Sequence, residues 1–209
     1  MRVFVMWLAL TGFAWGDGEK AGDFDYYVLA LSWSPTWCAL EGDRRGSPQC
    51  DDEADFGWVL HGLWPQYEDG WPSYCHTGHR NPSRSETAAM ADIKGSGGSA
   101  WHQWNKHGRC SGLSSRDFYA LAREAYGRVI RPDVFRRLER EIRLPATVIE
   151  EAFLEDNEVL RADGLTVTCK AGRIQEARIC LTRGLEPRAC SGSVARDCTM
   201  SDALFSPVR

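Results

Sequence analysis

Trp101-His102-Gln103-Trp104-Asn105-Lys106-His107-Gly108-Arg109-Cys110 holds two of the five histidines, two tryptophans, a lysine, an arginine and a cysteine in ten residues. Read as a helix, it places His102, Gln103, Lys106 and His107 at roughly 0°, 100°, 40° and 140° around the axis. These four share one broad arc, and Trp101, Trp104 and Asn105 lie elsewhere. Gly108 reads as the helix stop and Cys110 as a covalent pin on the exit. Two imidazoles and an ammonium on one arc suit a reaction that moves protons around an anion. The plain alternative is a surface helix with incidental histidines.

Upstream, residues 56–64 (FGWVLHGLW) alternate as a strand that Pro65 ends. Alternation puts Trp58 and Leu60 on one face and Val59, His61 and Leu63 on the other. Gly62 beside His61 lets backbone or ligand come close, although a lone strand histidine also reads as a satisfied core residue. Residues 24–33 (FDYYVLALSW) form a continuous apolar run, predicted to be a strand buried on both faces and ended by Ser34-Pro35. Residues 66–74 (QYEDGWPSY) make a turn-rich loop with three aromatics, either tucked inward or presented as a platform for a planar ligand. Residues 75–99 are polar, with a short helix expected near 85–92 and a flexible lead at Gly95-Ser96-Gly97-Gly98-Ser99.

Beyond Cys110 the pattern turns helical. Ser115 is expected to cap a helix with Phe118, Leu121, Ala122, Ala125 and Val129 inward. Pro132 opens a second helix with Val134, Phe135, Leu138 and Ile142 inward, and Pro145 a third over 147–154. The arginines and glutamates of the second read as a solvated ion-paired face, not an RNA-binding patch. Residues 165–170 and 173–182 read as strands joined by an Ala171-Gly172 hairpin turn. Strand and helix blocks are segregated, so the fold class is α+β.

The 209 residues suit one domain with a substantial core. A net charge of −4 argues against a long groove-tracking nucleic-acid binder but not against a local cationic pocket. Residues 1–16 read as a signal peptide: Arg2, an apolar run from Val3 to Leu10, and the small-x-small site Ala14-Trp15-Gly16. That leaves 17–209 as a single domain opening on a loose polar lead over 17–22, with no later run apolar enough to span a bilayer. Eight cysteines behind a signal peptide imply four disulfides in an oxidising compartment, with Cys38 and Cys50 a plausible local pair. No CxxC pair exists, and the one sequon, Asn81-Pro82-Ser83, is blocked by its proline.

Together HGLWP at 61–65 and HQWNKHG at 102–108 resemble the two active-site segments of the ribonuclease T2 family. The YYVLALSWSPTWC run and Val167-Thr168-Cys169 with the later cysteines resemble its framework, over roughly residues 25–198. The resemblance implies a disulfide-stapled α+β fold with a central antiparallel sheet packed against several helices. It implies a secreted or periplasmic endoribonuclease that needs no metal or cofactor. Single-stranded RNA is cut by transphosphorylation to 2′,3′-cyclic phosphates that then open to 3′-phosphates; DNA, lacking the 2′-hydroxyl, is not a substrate. By similarity His107 is the base toward the 2′-hydroxyl and His61 the acid toward the 5′-oxygen, with His102 and Lys106 on the phosphate.

The family usually has glutamate where this chain has Gln103, which cannot ionise but can still hydrogen-bond phosphate or orient a histidine. Trp64 matches a base-stacking tryptophan. Gln66 stands where an acid is common, so little base specificity is expected, with Tyr67, Trp71 and Tyr74 completing the stacking surface. The implied disulfides are Cys38–Cys50, Cys75–Cys110, Cys169–Cys198 and Cys180–Cys190. The default is a monomer with no membrane attachment once the signal is cleaved. Two rivals stand beside this reading. One is a catalytically impaired RNA-binding member of the family, marked by Gln103. The other is a zinc hydrolase using His61, His102 and His107, for which neither HExxH nor an obvious carboxylate base is present.

Overall fold

The computed structural model describes residues 19–209; the stretch read as a signal peptide, 1–16, lies outside the described residues. Residues 19–22 are tied down rather than loose: Lys20 bridges to His76, and the Gly22 amide donates to the Cys110 carbonyl at 2.8 Å.

Six strands make one sheet: β1 (Tyr26–Trp33), β2 (Trp58–Gln66), β3 (Ile142–Leu144), β4 (Leu165–Lys170), β5 (Arg173–Leu181) and β6 (Ala203–Phe205). Their order is β2-β1-β5-β6-β3, and β4 also pairs with β5. Every pairing is antiparallel except β5 with β6, which is parallel at Arg173 and Leu204, so the sheet is mixed rather than purely antiparallel. The helices are α1 (Ser34–Trp37), α2 (Arg84–Ala88), α3 (Ala91–Lys94), α4 (Gly97–Lys106), α5 (Ser115–Arg128) and α6 (Ala146–Asp156). The α+β class expected from segregated strand and helix patterns is the observed one, and no helix among the described residues is long and apolar enough to cross a membrane.

β1 lies between β2 and β5 and is buried along its whole length. Tyr27, Leu29, Leu31 and Trp33 face the main core with Phe118, Ile149, Phe153 and Phe205. Tyr26 and Val28 belong to a second cluster on the opposite face, with Cys180, Val194 and Trp64. Period-2 geometry forces this division, and the continuous apolar run is its sequence signature.

β2 departs from simple alternation. Ala30 pairs with Gly62 but Leu31 pairs with Leu60, so His61 is the extra residue of a β-bulge. Leu63 therefore joins Trp58 and Leu60 in the core instead of sharing a face with His61. Nor does Pro65 end the strand: β2 runs to Gln66, because an edge strand tolerates a missing N–H on its open side.

Two other expectations change. The helix foreseen after Pro132 is one short 3-10 turn over Asp133–Arg137, followed by β3. Phe135 is buried there while Val134 stays exposed, and Ile142 is committed to pairing with Phe205. The Gly95–Ser99 stretch is ordered punctuation: Gly95 caps α3 at φ +75°, and Ser96 caps α4 by accepting from the Ser99 amide. Ser114 rather than Ser115 caps α5, accepting from the Asp117 amide. The hairpin is as expected, with positive φ at both Ala171 and Gly172 in the manner of a type I′ turn. All four disulfides form as the resemblance implied.

Candidate active site

A cavity of about 280 Å³ opens on the sheet face opposite the main core, walled on one side by β2 and on another by α4. Strand residues Val28, His61, Trp64 and Gln66 meet helix-side residues His102, Gln103, Lys106 and His107 across it. The helical arc is the one expected, while Trp104 points the other way into the core. The remaining wall comes from Trp71 and from Arg178, Ser193 and Val194.

The strand wall begins with the bulge. It turns the Leu60 and His61 carbonyls toward Lys94 at the end of α3, whose ammonium donates to them at 3.0 and 2.6 Å. Lys94 is buried, and burial pulls its pKa down to about 7. A neutral amine still carries two hydrogens, so the carbonyl pair is served in either protonation state. The His61 side chain is 37% exposed and its Nδ1 contacts the Glu176 carboxylate of β5, which is 2% exposed. Burial pushes Glu176 up, but the hydrogen bond and charge of His61, and then Arg178, overcome it and bring Glu176 down to about 2. An ionised carboxylate only accepts, so His61 donates through Nδ1 and leaves Nε2 for the cavity.

The helix wall is built differently. His107 is the C-cap of α4, where the chain leaves helical geometry at φ −120° before a 3-10 turn over Gly108–Ser111. Gly108 acts less as a left-handed stop than as a packing site: a Cβ there would lie 2.6 Å from the Phe118 ring. The Cys75–Cys110 disulfide and a hydrogen bond from the Tyr74 amide to the Lys106 carbonyl, at 2.8 Å, pin this end. Burial first, then the charges of Lys106, His61 and His102, push His107 down to about 3. It is neutral near pH 7, and its Nδ1 is sealed without a partner among the described residues, so Nε2 is the nitrogen a ligand can reach.

Trp64 joins the two walls. Its ring centroid lies 5.1 Å from that of His61 and 5.3 Å from that of His107, and its Nε1 donates to Gln103 Oε1 at 2.7 Å. The Arg178 guanidinium sits 5.6 Å from the same indole. Gln103 thus keeps the acceptor role that a carboxylate would fill toward Trp64. Its amide nitrogen makes no hydrogen bond within the described residues.

Of the expected base-binding residues, Trp64, Gln66 and Trp71 line the cavity, with Trp71 half exposed. Tyr67 packs against the main core and Tyr74 is half exposed; neither lines the cavity. Sequence reasoning missed Lys94, Glu176 and Arg178. Glu176 and Arg178 stand two apart on one face of a central strand, and that pattern was a usable signal, since opposite charges there must be paired or face a site. Nothing in the sequence marked Lys94. Three carboxylate or thiol groups lie close enough to suggest a metal site only at Cys38, Asp43 and Cys50 among the described residues, where both cysteines are already joined as a disulfide.

A family model described as the Ribonuclease T2 family matches residues 24–190. A ribonuclease of Aeromonas hydrophila is 47% identical over 103 residues, covering 49% of this chain and 45% of that protein. A probable ribonuclease of Haemophilus influenzae is 31% identical over 130 residues, covering 56% and 47%. The chain spans about half the length of the curated relatives it matches. Among solved structures, the RNase-related protein from Calystegia sepium aligns with a TM-score of 0.65 at 19% identity, over 91% of this chain and 98% of that one. RNase NT, solved in complex with 5′-AMP, aligns with a TM-score of 0.57 at 18% identity, over 90% and 100%.

Proposed function

Because the chain belongs to the ribonuclease T2 family, we propose that its cavity binds single-stranded RNA and cleaves it by transphosphorylation. His107 Nε2 takes the proton of the 2′-hydroxyl. The 2′-oxygen attacks phosphorus, the bond to the 5′-oxygen breaks, and His61 Nε2 gives that oxygen its proton. The products are a 2′,3′-cyclic phosphate and a free 5′-hydroxyl. Water then opens the ring to a 3′-phosphate with the two histidines in exchanged roles. Lys106 and His102 face the charge that builds on the phosphorane, and the free Gln103 amide donates to a non-bridging oxygen. No step uses a metal.

The observation that carries this reading is that a strand imidazole and a helix imidazole line one cavity within 5.1 and 5.3 Å of the same indole. The Gln66 amide nitrogen already donates to the Pro65 carbonyl at 3.0 Å, so it has less to offer a base, in keeping with weak base preference. Four disulfides support a secreted or periplasmic location. The test is incubation with single-stranded RNA in EDTA, analysing the new ends. Cyclic phosphates formed at an undiminished rate support the proposal. Loss of activity in EDTA favours the zinc hydrolase, and RNA binding without cleavage favours the impaired family member.

A further inference from the structure

The cavity wall carries three histidines, a lysine and an arginine, and not one carboxylate. α4 itself has no acidic residue. A carboxylate stands one layer behind. Glu176 is buried in β5 opposite Ser32 of β1, and among the described residues it is the only acid ion-paired with a histidine. One of its oxygens meets His61 Nδ1 and, at 3.3 Å, Ser32 Oγ. The other accepts from Arg178 Nε and Nη2 at 3.0 and 2.8 Å. This is a fully committed carboxylate: each oxygen has a defined donor, and both Arg178 nitrogens converge on one of them.

Resting on the proposed ribonuclease reading, we infer that Glu176 is a positioning residue for His61. It holds the ring with Nδ1–H inward, so that proton exchange with substrate passes through Nε2 alone. Its negative charge stands behind a cavity wall whose titratable groups are otherwise all basic. They are Arg178 of β5 and His102, Lys106 and His107 at α4, with Lys94 of α3 behind the bulge. Glu41, Arg45 and Lys170 line the adjoining cleft that His61 and Glu176 share. Glu176 never takes the proton. When the 5′-oxygen leaves, the Nε2 proton goes to it and the Nδ1 proton stays on the ring. The helix wall lacks an acid at Gln103, and the sheet supplies one from the other side.

The geometry is tested without RNA by 15N NMR of the histidine rings in the native protein. The expected neutral form of His61 carries its proton on Nδ1 with Nε2 bare. A His61 protonated on Nε2 when neutral overturns the inference, whatever the enzyme does. With RNA, Glu176→Gln is expected to lower kcat by roughly 100-fold with KM within about threefold, and to move the high-pH limb of the pH–rate profile to lower pH. Glu176→Asp restores the position of that limb. Unchanged kcat and profile in Glu176→Gln, with His61→Ala inactive, overturn the positioning role alone. If native protein and His61→Ala are equally inert on RNA, the ribonuclease reading fails, and the NMR result still decides what Glu176 does to the ring.

Discussion

His61 rests on the strand wall with a buried, ionised carboxylate behind it. His107 ends the helix wall with no carboxylate near it, its pKa pushed to about 3 by burial and by three cationic neighbours. The two rings face the same indole from unlike surroundings, a buried carboxylate behind one and desolvation around the other. One site orients a ring through its Nδ1–H and leaves Nε2 to exchange protons, and the other favours a ring that lacks the extra proton. Transphosphorylation needs that pair at a single pH. The difference comes from the elements and not from the residue type. An edge strand of the sheet can reach across β1 to a carboxylate on β5, whereas a helix C-terminus buried against Phe118 offers mainly desolvation.

The largest expected effect breaks the pair outright. His61→Ala and His107→Ala should each reduce kcat on single-stranded RNA by roughly 10²–10⁴-fold with thermal stability near that of the native chain. A variant that keeps native turnover would show that its ring is not one of the two. The next effect separates wall from fold. Lys94→Met removes the donor that holds the bulge carbonyls, and turnover should fall about tenfold through a less well-placed His61. Its signature in stability is distinct. The folded Lys94 titrates at about 7, below its ordinary 10.5, so between those values the unfolded chain binds more protons and stability rises with pH. Thermal unfolding of the native protein between pH 7 and 10.5 should show that rise, and Lys94→Met should flatten it. A rise that persists in the variant assigns it to another group.

Much of the scaffold and about half of the candidate site's lining could be read from the chain. The apolar run now seen as β1, the Ala171-Gly172 hairpin and the α4 arc follow from local periodicity and turn residues. The family resemblance implied the disulfide pairings that form. What failed was non-local. The bulge at His61 is visible only once β1 fixes the register, so Leu63 was placed on the wrong face. The segment after Pro132 gave up its helix because Ile142–Leu144 pairs with a strand some sixty residues later. Glu176 and Lys94 were missed for the same reason. Each acts on His61 from more than thirty residues away in sequence, and neither lies in a motif.

The smallest expected effect sharpens the comparison, because it gives the helix wall the charge it lacks. Gln103 and His107 are one helical turn apart, and the Gln103 carbonyl accepts from the His107 amide at 2.9 Å. Gln103→Glu keeps an acceptor for Trp64 Nε1, so the joint between the walls survives. The new carboxylate stabilises a charged His107, whose pKa should climb from about 3 and carry the low-pH limb of the pH–rate profile with it. A base with a higher pKa is a stronger one, so the maximal rate should change only about threefold, upward, while activity at acid pH falls. The pH–rate curves of native protein and variant, measured side by side, decide it. An inert native protein beside a fast variant would mean that Glu176 does not make up for Gln103, and that the strand wall cannot run the reaction by itself. A low-pH limb that stays in place would mean that another group, not His107, sets it.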